Sequence, residues 1–180
     1  IMRSNKYKIL VLSDLKETAS QTLSYAANLS KEIDADVEFF YVKKVTEIIE
    51  TENPLSALRE ISDACNKTDK KIKNFVAPIS KEMDVNIKTT FAFGNVKNEI
   101  ESCINTSQPD MIILGERTHK RFNFFGDNMT GFVQKNYNGV VLVVTDNNVI
   151  DANGEVALDN LGLKNNIANY KVKDNRKMIV

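Results

Sequence analysis

The run from Tyr7 to Ser13 (YKILVLS) constrains the fold more than any other stretch of the chain. It is nearly continuous in apolar residues and leaves no face for water. A strand of that kind must be covered on both sides, which places it in the middle of a parallel sheet between two helical layers. Asp14 follows at its carboxyl end. Thr18 and Gln21 have the spacing of a capping box, and Leu23, Ala26, Ala27, Ser30 and Ile33 then fall on one helical face. Val37 to Val42 (VEFFYV) is rich in β-formers and predicts a second strand. The helix between the two strands has the length a parallel crossover needs.

The same alternation continues. Lys43 to Glu52 is polar and predicted irregular, and Asn53-Pro54 is a helix start, a capping side chain followed by proline at the first helical position. Leu58, Ile61, Cys65, Ile72, Phe75, Val76, Ile79 and Met83 carry a helical period onward to about Glu82. Pro78 inside that run predicts a kink or a break. Val85 to Phe93 alternates as a half-buried third strand ended by Gly94, and Asn95 to Asn105 predicts a short helix with Val96, Ile100, Cys103 and Ile104 inward. Met111 to Leu114 is a fourth, buried strand stopped by Gly115. A loop with Arg117, His119, Lys120 and Arg121 follows, and Asp127, Asn128 and Thr130 offer cap chemistry for a helix from Met129 to Asn136. After the Asn138-Gly139 turn, Val140 to Val144 (VVLVV) is the fifth and most β-prone strand.

This pattern predicts an α/β fold: a doubly wound, five-stranded parallel sheet over residues 1–146. From Thr145 the chain turns rich in Asn and Asp and reads as linker. Residues 147–180 carry scattered apolar anchors, among them Val156, Leu161, Ile167, Tyr170 and Val172, too few for a core. We expect an arm docked on existing surface, on a partner subunit in preference to the chain's own body.

Lys plus Arg number 24 and Asp plus Glu number 24, so no global charge draws the chain to nucleic acid or to a membrane surface. No apolar run has the length of a membrane span, and the polar start, with no secretory signal in it, leads to a cytoplasmic expectation. Cys65 and Cys103 lack metal-ligand spacing and read as reduced, buried thiols. His119, standing alone among basic loop residues, is assigned neither a catalytic nor a metal role. A doubly wound sheet takes ligands where strand order reverses, at the strands' carboxyl ends. Those ends carry Ser13 and Asp14 after the first strand and Gly115 onward after the fourth. Gly115 is a strand-ending turn or a ligand contact; the basic loop is solvated surface or an anion site; Asp14 is a helix cap or a ligand contact. Phe122, Phe124 and Phe125 are a lid or an interface patch.

Five segments, in this order and spacing, resemble the universal stress protein family: KILVLSD; TLSYAANLSKEIDADVEFFYV; Gly94-Asn95-Val96 followed by Glu99-Ile100; PDMIILG; and GVVLVV. The resemblance runs from about Tyr7 to Thr145. It implies a five-stranded parallel sheet, a homodimer through the last strand (Val140, Val141, Leu142, Val143, Val144), and an ATP site in many members. It also implies nucleotide contacts at Ser13, Asp14, Val42, Gly115, Arg117, Thr118, Asn128, Met129 and Thr130. The family's nucleotide signature is Gly-x-x-Gly, nine residues, then Gly-Ser/Thr. Gly115 fills the first glycine, but Thr118 stands at the second and Asn128-Met129 stands at Gly-Ser, with Thr130 one place on. A side chain at Thr118 occupies space that glycine leaves for phosphate.

Two other classes fail on residues. A phosphorylated receiver domain needs an acidic cluster after the first strand, an Asp after the third and a Lys after the fifth; Gly94 and Thr145 stand near the last two positions. A nucleotide-activating enzyme needs a Gly/Ser-rich first loop, and Asp14-Leu15-Lys16-Glu17 is not one. The expectation is therefore a non-enzymatic stress or regulatory protein that requires no cofactor, with an unidentified regulatory protein as a candidate partner. ATP or another adenine nucleotide is the candidate ligand, held weakly or not at all. The alternative is a true ATP-binding member with nucleotide-controlled assembly or slow hydrolysis.

Overall fold

The computed structural model describes residues 6–16, 18–47, 53–116, 129–145 and 149–150. In chain order the elements are β1 (Tyr7–Ser13), α1 (Ala19–Ile33), β2 (Ala35–Lys43), a single 3-10 turn (Val45–Glu47), α2 (Pro54–Met83), β3 (Ile87–Phe93), α3 (Val96–Ser107), β4 (Met111–Gly115), α4 (Met129–Asn136), β5 (Val140–Val144) and β6 (Val149–Ile150). The strand order is β3-β2-β1-β4-β5-β6. The first five strands are parallel, as expected, and β6 is antiparallel to β5.

Strand periodicity sorts the core into two layers. Ile9, Val11, Phe39, Met111, Ile113 and Leu142 pack with α1 and α2, while Leu10, Leu12, Phe40, Ile112, Leu114 and Val141 pack with α3 and α4. Leu23, Ala26, Ala27, Ser30 and Ile33 are the buried face of α1. Asn53 and Asn95 cap α2 and α3, each carboxamide oxygen accepting two backbone N–H bonds. α1, α2 and α3 end on Asp34, Asp84 and Gln108, whose φ of 53°, 52° and 45° is the left-handed turn that glycine usually takes.

Several expectations are corrected. Thr18 does not close a capping box; its side chain makes no cap bond. Gly115 lies inside β4, at its last position. α2 is not broken at Pro78 but runs on to Met83. Leu58 is not inward: it and Leu55 are exposed, and the first buried residue of α2 is Ala64. A helix of 30 residues is about 45 Å long, against about 23 Å for a seven-residue strand, so its first turns outrun the sheet. Cys65 and Cys103 are free and only half-buried. The predicted linker contains a strand, β6, and the edge of β5 is correspondingly part-covered. Side chains Val140 to Val144 are all buried within the single chain. The rest of the 147–180 arm lies outside the described residues.

Burial sets the stability consequences. Ile113→Ala should cost about 2–5 kcal/mol, since Ile113 is fully enclosed in the central pair of strands. Leu58→Ala should stay within about 0.5 kcal/mol. Urea titrations of both variants check this, and equal losses would contradict the packing described.

Candidate functional site at the carboxyl ends of β1 and β4

β1 lies between β2 and β4, and the chain turns from one side of it to the other, so strand order reverses at the β1–β4 pair. The crevice beyond their carboxyl ends is the candidate site. Ser13 is buried, and its hydroxyl oxygen accepts the Leu15 N–H at 3.1 Å. The Asp14 carboxylate accepts the Lys16 N–H at 3.0 Å, so Asp14 shapes the β1–α1 connection instead of capping the helix. Between them Leu15 holds φ at 60°, a left-handed conformation that costs a branched side chain on the order of 1–3 kcal/mol. The Leu15 side chain packs on the α1–α2 layer, which holds it there.

The other wall comes from β4. Thr18 Oγ1 donates to the Glu116 carbonyl at 3.1 Å, and Thr22 Oγ1 donates to the Thr18 carbonyl at 2.7 Å. The Glu116 N–H donates to the Val144 carbonyl at 2.7 Å, extending the β4–β5 ladder. Gly115 is enclosed by these groups. A Cβ there would lie 2.8 Å from Thr22 Oγ1 and 3.0 Å from Thr18 Cβ, and closer still to Thr18 Oγ1. The start of α1 thus rests directly on the backbone at the end of β4.

Ser13, Asp14 and Gly115 are brought together at this crevice. Val42 is buried in the α3–α4 layer, and Met129 packs on the edge of that layer at the start of α4. Thr130 is half-buried one position on. Arg117, Thr118 and Asn128, with His119, Lys120, Arg121 and the three loop phenylalanines, lie outside the described residues. Sequence reading missed Tyr41, at the end of β2. Its phenol is pushed above its usual range by burial first, then by the Glu47 and Asp14 carboxylates. Its place beside Ser13 in the β1–β2 register was the available signal.

The described walls offer hydroxyls, a carboxylate and backbone groups, which suit hydrogen bonding to a polar ligand. Among the described residues no three His, Cys, Asp or Glu side chains group to hold a metal ion, and no helix is long and apolar enough to cross a membrane. A separate groove of about 590 Å³ lies toward the amino ends of the strands, between α3 and the sheet. Glu38 there accepts from Thr90 Oγ1 at 2.8 Å and pairs with Lys88 at 3.2 Å. Cys103 lines it, and burial first, then Glu38, pushes its thiol up to about 11, against Ser107 and Lys88. That thiol is protonated at neutral pH and a poor nucleophile.

The profile of the Universal stress protein family matches residues 7–135. The chain belongs to that family. Solved structures agree with the fold of this universal stress protein. Universal stress protein UspA from Lactobacillus plantarum is 21% identical with a TM-score of 0.60, over 79% of this chain and 99% of its own. The protein MJ0577 is 25% identical with a TM-score of 0.59, over 77% and 95%. A universal stress protein family protein from Arabidopsis thaliana, with AMP bound, is 15% identical with a TM-score of 0.50, over 77% and 91%. Among curated proteins none matches the chain.

Gly115→Ala should destabilise the protein by about 1–3 kcal/mol, because the added methyl has no room beside Thr18 and Thr22. Adding Thr18→Ala removes the nearest obstructing atom and should recover part of that loss. A double-mutant cycle of melting curves checks it; strictly additive effects would remove the contact from the account.

Proposed function

We propose that this universal stress protein is a regulatory module with no reaction of its own, dimeric, holding adenine nucleotide weakly or not at all. The observation that carries the reading is the loop after Gly115. Thr118 and Asn128 stand where the nucleotide signature calls for glycine, and Met129 stands where it calls for Ser or Thr. Glycine lets the backbone fold tightly under phosphates, and a side chain in its place takes that space. Losing one backbone contact to phosphate, at about 1 kcal/mol or more, lowers affinity roughly fivefold or more. Arg117, Lys120 and Arg121 offer side-chain charge in place of backbone N–H groups.

A second copy would join through the β5 edge. No described strand pairs with the outer side of β5 over Val140 to Leu142, and that segment has no charged or proline residue to discourage strand addition. A regulatory protein partner would read the nucleotide state or the dimer.

A second reading has an observation of its own. The Arabidopsis thaliana relative carries AMP. With Ser13, Asp14 and Gly115 assembled here, the same crevice would take an adenine nucleotide that controls assembly or is slowly hydrolysed.

Mass spectrometry of small molecules released on denaturation, with ATP calorimetry, separates the two. The first reading expects no copurified nucleotide and binding weaker than in signature-bearing relatives. Thr118→Gly with Asn128→Gly should raise affinity by about tenfold or more. ATP carried through purification would establish the second reading instead.

A further inference from the structure

The edge of β5 already has an occupant in this chain. The Val144 carbonyl accepts from Glu116 across the β4 side, so the backbone groups of Val140, Leu142 and Val144 face β4. Those of Val141 and Val143 therefore face the open edge. β6 pairs Val143 with Ile150 and Val144 with Val149. Val143–Ile150 is then the hydrogen-bonded pair, and Val144–Val149 the non-hydrogen-bonded one. Of the two β5 residues that present backbone groups outward, β6 takes one.

A second copy pairing antiparallel about a two-fold axis at Leu142 needs both. Its hydrogen-bonded pairs are Val141 with the partner's Val143, and the reverse. With β6 seated, neither pair can form, and only a slipped register centred on Val141 keeps any outward pairing. A slip of that kind also shifts every side-chain contact along the strand. β6 holds its place at intramolecular concentration, because the connection from β5 is only the few residues 145–148. Val149 adds packing on the α1–α2 layer.

We propose that β6 is a built-in competitor for the β5 edge, so that release of Val149–Ile150 controls whether a second copy pairs there in full register. This rests on the reading that copies join through β5. The device is a strap of two residues, weak enough to open and close enough to re-form. Anything that draws the chain beyond Ile150 away from the edge would favour the dimer.

The test uses the full chain in a Cys65→Ser, Cys103→Ser background. Ile150→Pro removes the N–H that serves the Val143 pair and frees the edge. Val144→Cys with Val149→Cys places a disulfide across the non-hydrogen-bonded pair, where Cα atoms lie about 4.5 Å apart, and locks β6 down. Sedimentation equilibrium over the micromolar range reads the dimer constant of each. The expected result is dimerisation about tenfold tighter for Ile150→Pro than for the unsubstituted strand, the size of one or two net backbone hydrogen bonds. The oxidised Cys pair should dimerise more weakly than its reduced form, with recovery on reduction. Equal, measurable dimer constants throughout would overturn the competition while leaving a dimer elsewhere on the surface. Weaker dimerisation of Ile150→Pro would overturn it too, and make β6 part of the interface. A freed edge that stays monomeric would overturn both the competition and the reading that β5 joins copies.

Discussion

A strand buried on both faces has no polar side, and β1 and β4 are both such strands. Ile9, Leu10 and Val11 face alternate layers, as do Ile112 and Ile113, and all are essentially closed to water. Ligand chemistry cannot be built along them without leaving polar groups dry. It is displaced to where the strands stop, and the reversal of strand order leaves a crevice at that point. Ser13, Asp14 and Glu116 are polar because they are the first residues with somewhere polar to go. The position of the candidate site is thus a consequence of the core.

Gly115 shows how packing and binding become entangled there. The family resemblance sets it at the first glycine of a nucleotide signature, which invites a functional interpretation. Yet its Cα lies so close to Thr18 and Thr22 that a side chain would disturb the start of α1 whether or not a nucleotide binds. The helix–strand contact alone is therefore reason enough for glycine here. Thr118 and Asn128 follow it in the sequence and lie outside the described residues.

The strands were legible because burial imposes a period of two or an unbroken apolar run, both visible without neighbours. β1, α4 and β5 have the predicted ends, and Asn53 and Asn95 announce their helices as capping residues should. What was not legible depended on partners distant in sequence. Thr18 has the local spelling of a cap, but its side chain makes no cap bond and its hydroxyl instead donates to the Glu116 carbonyl, 98 residues away. Leu58 obeys the helical period yet is exposed, since period alone does not say where the sheet under a helix ends. Asp34, Asp84 and Gln108 take left-handed turns without glycine, so the usual stop signal for their helices is missing. β6 has only two residues, too short for any period.

The two edges of the sheet meet the same hazard by different means. At β3 the outward-tending face is polar: Lys88 and Thr90 both bond to Glu38 on β2, which ties up the edge strand's side chains and leaves a charge at its flank. A passing strand meets an ion pair there and gains little. β5 cannot use that device, because all five of its side chains are committed to the core and none is polar. Its remaining protection is occupation of the backbone itself. Covering the whole edge permanently would need a strand as long as β5; β6 covers its carboxyl end only. An edge made safe by side-chain charge is closed to every partner alike, whereas an edge made safe by a short strand of the same chain is closed reversibly. The apolar, buried side chains of β5 thus leave occupation of the backbone as the protection of this edge, where β3 has an ion pair.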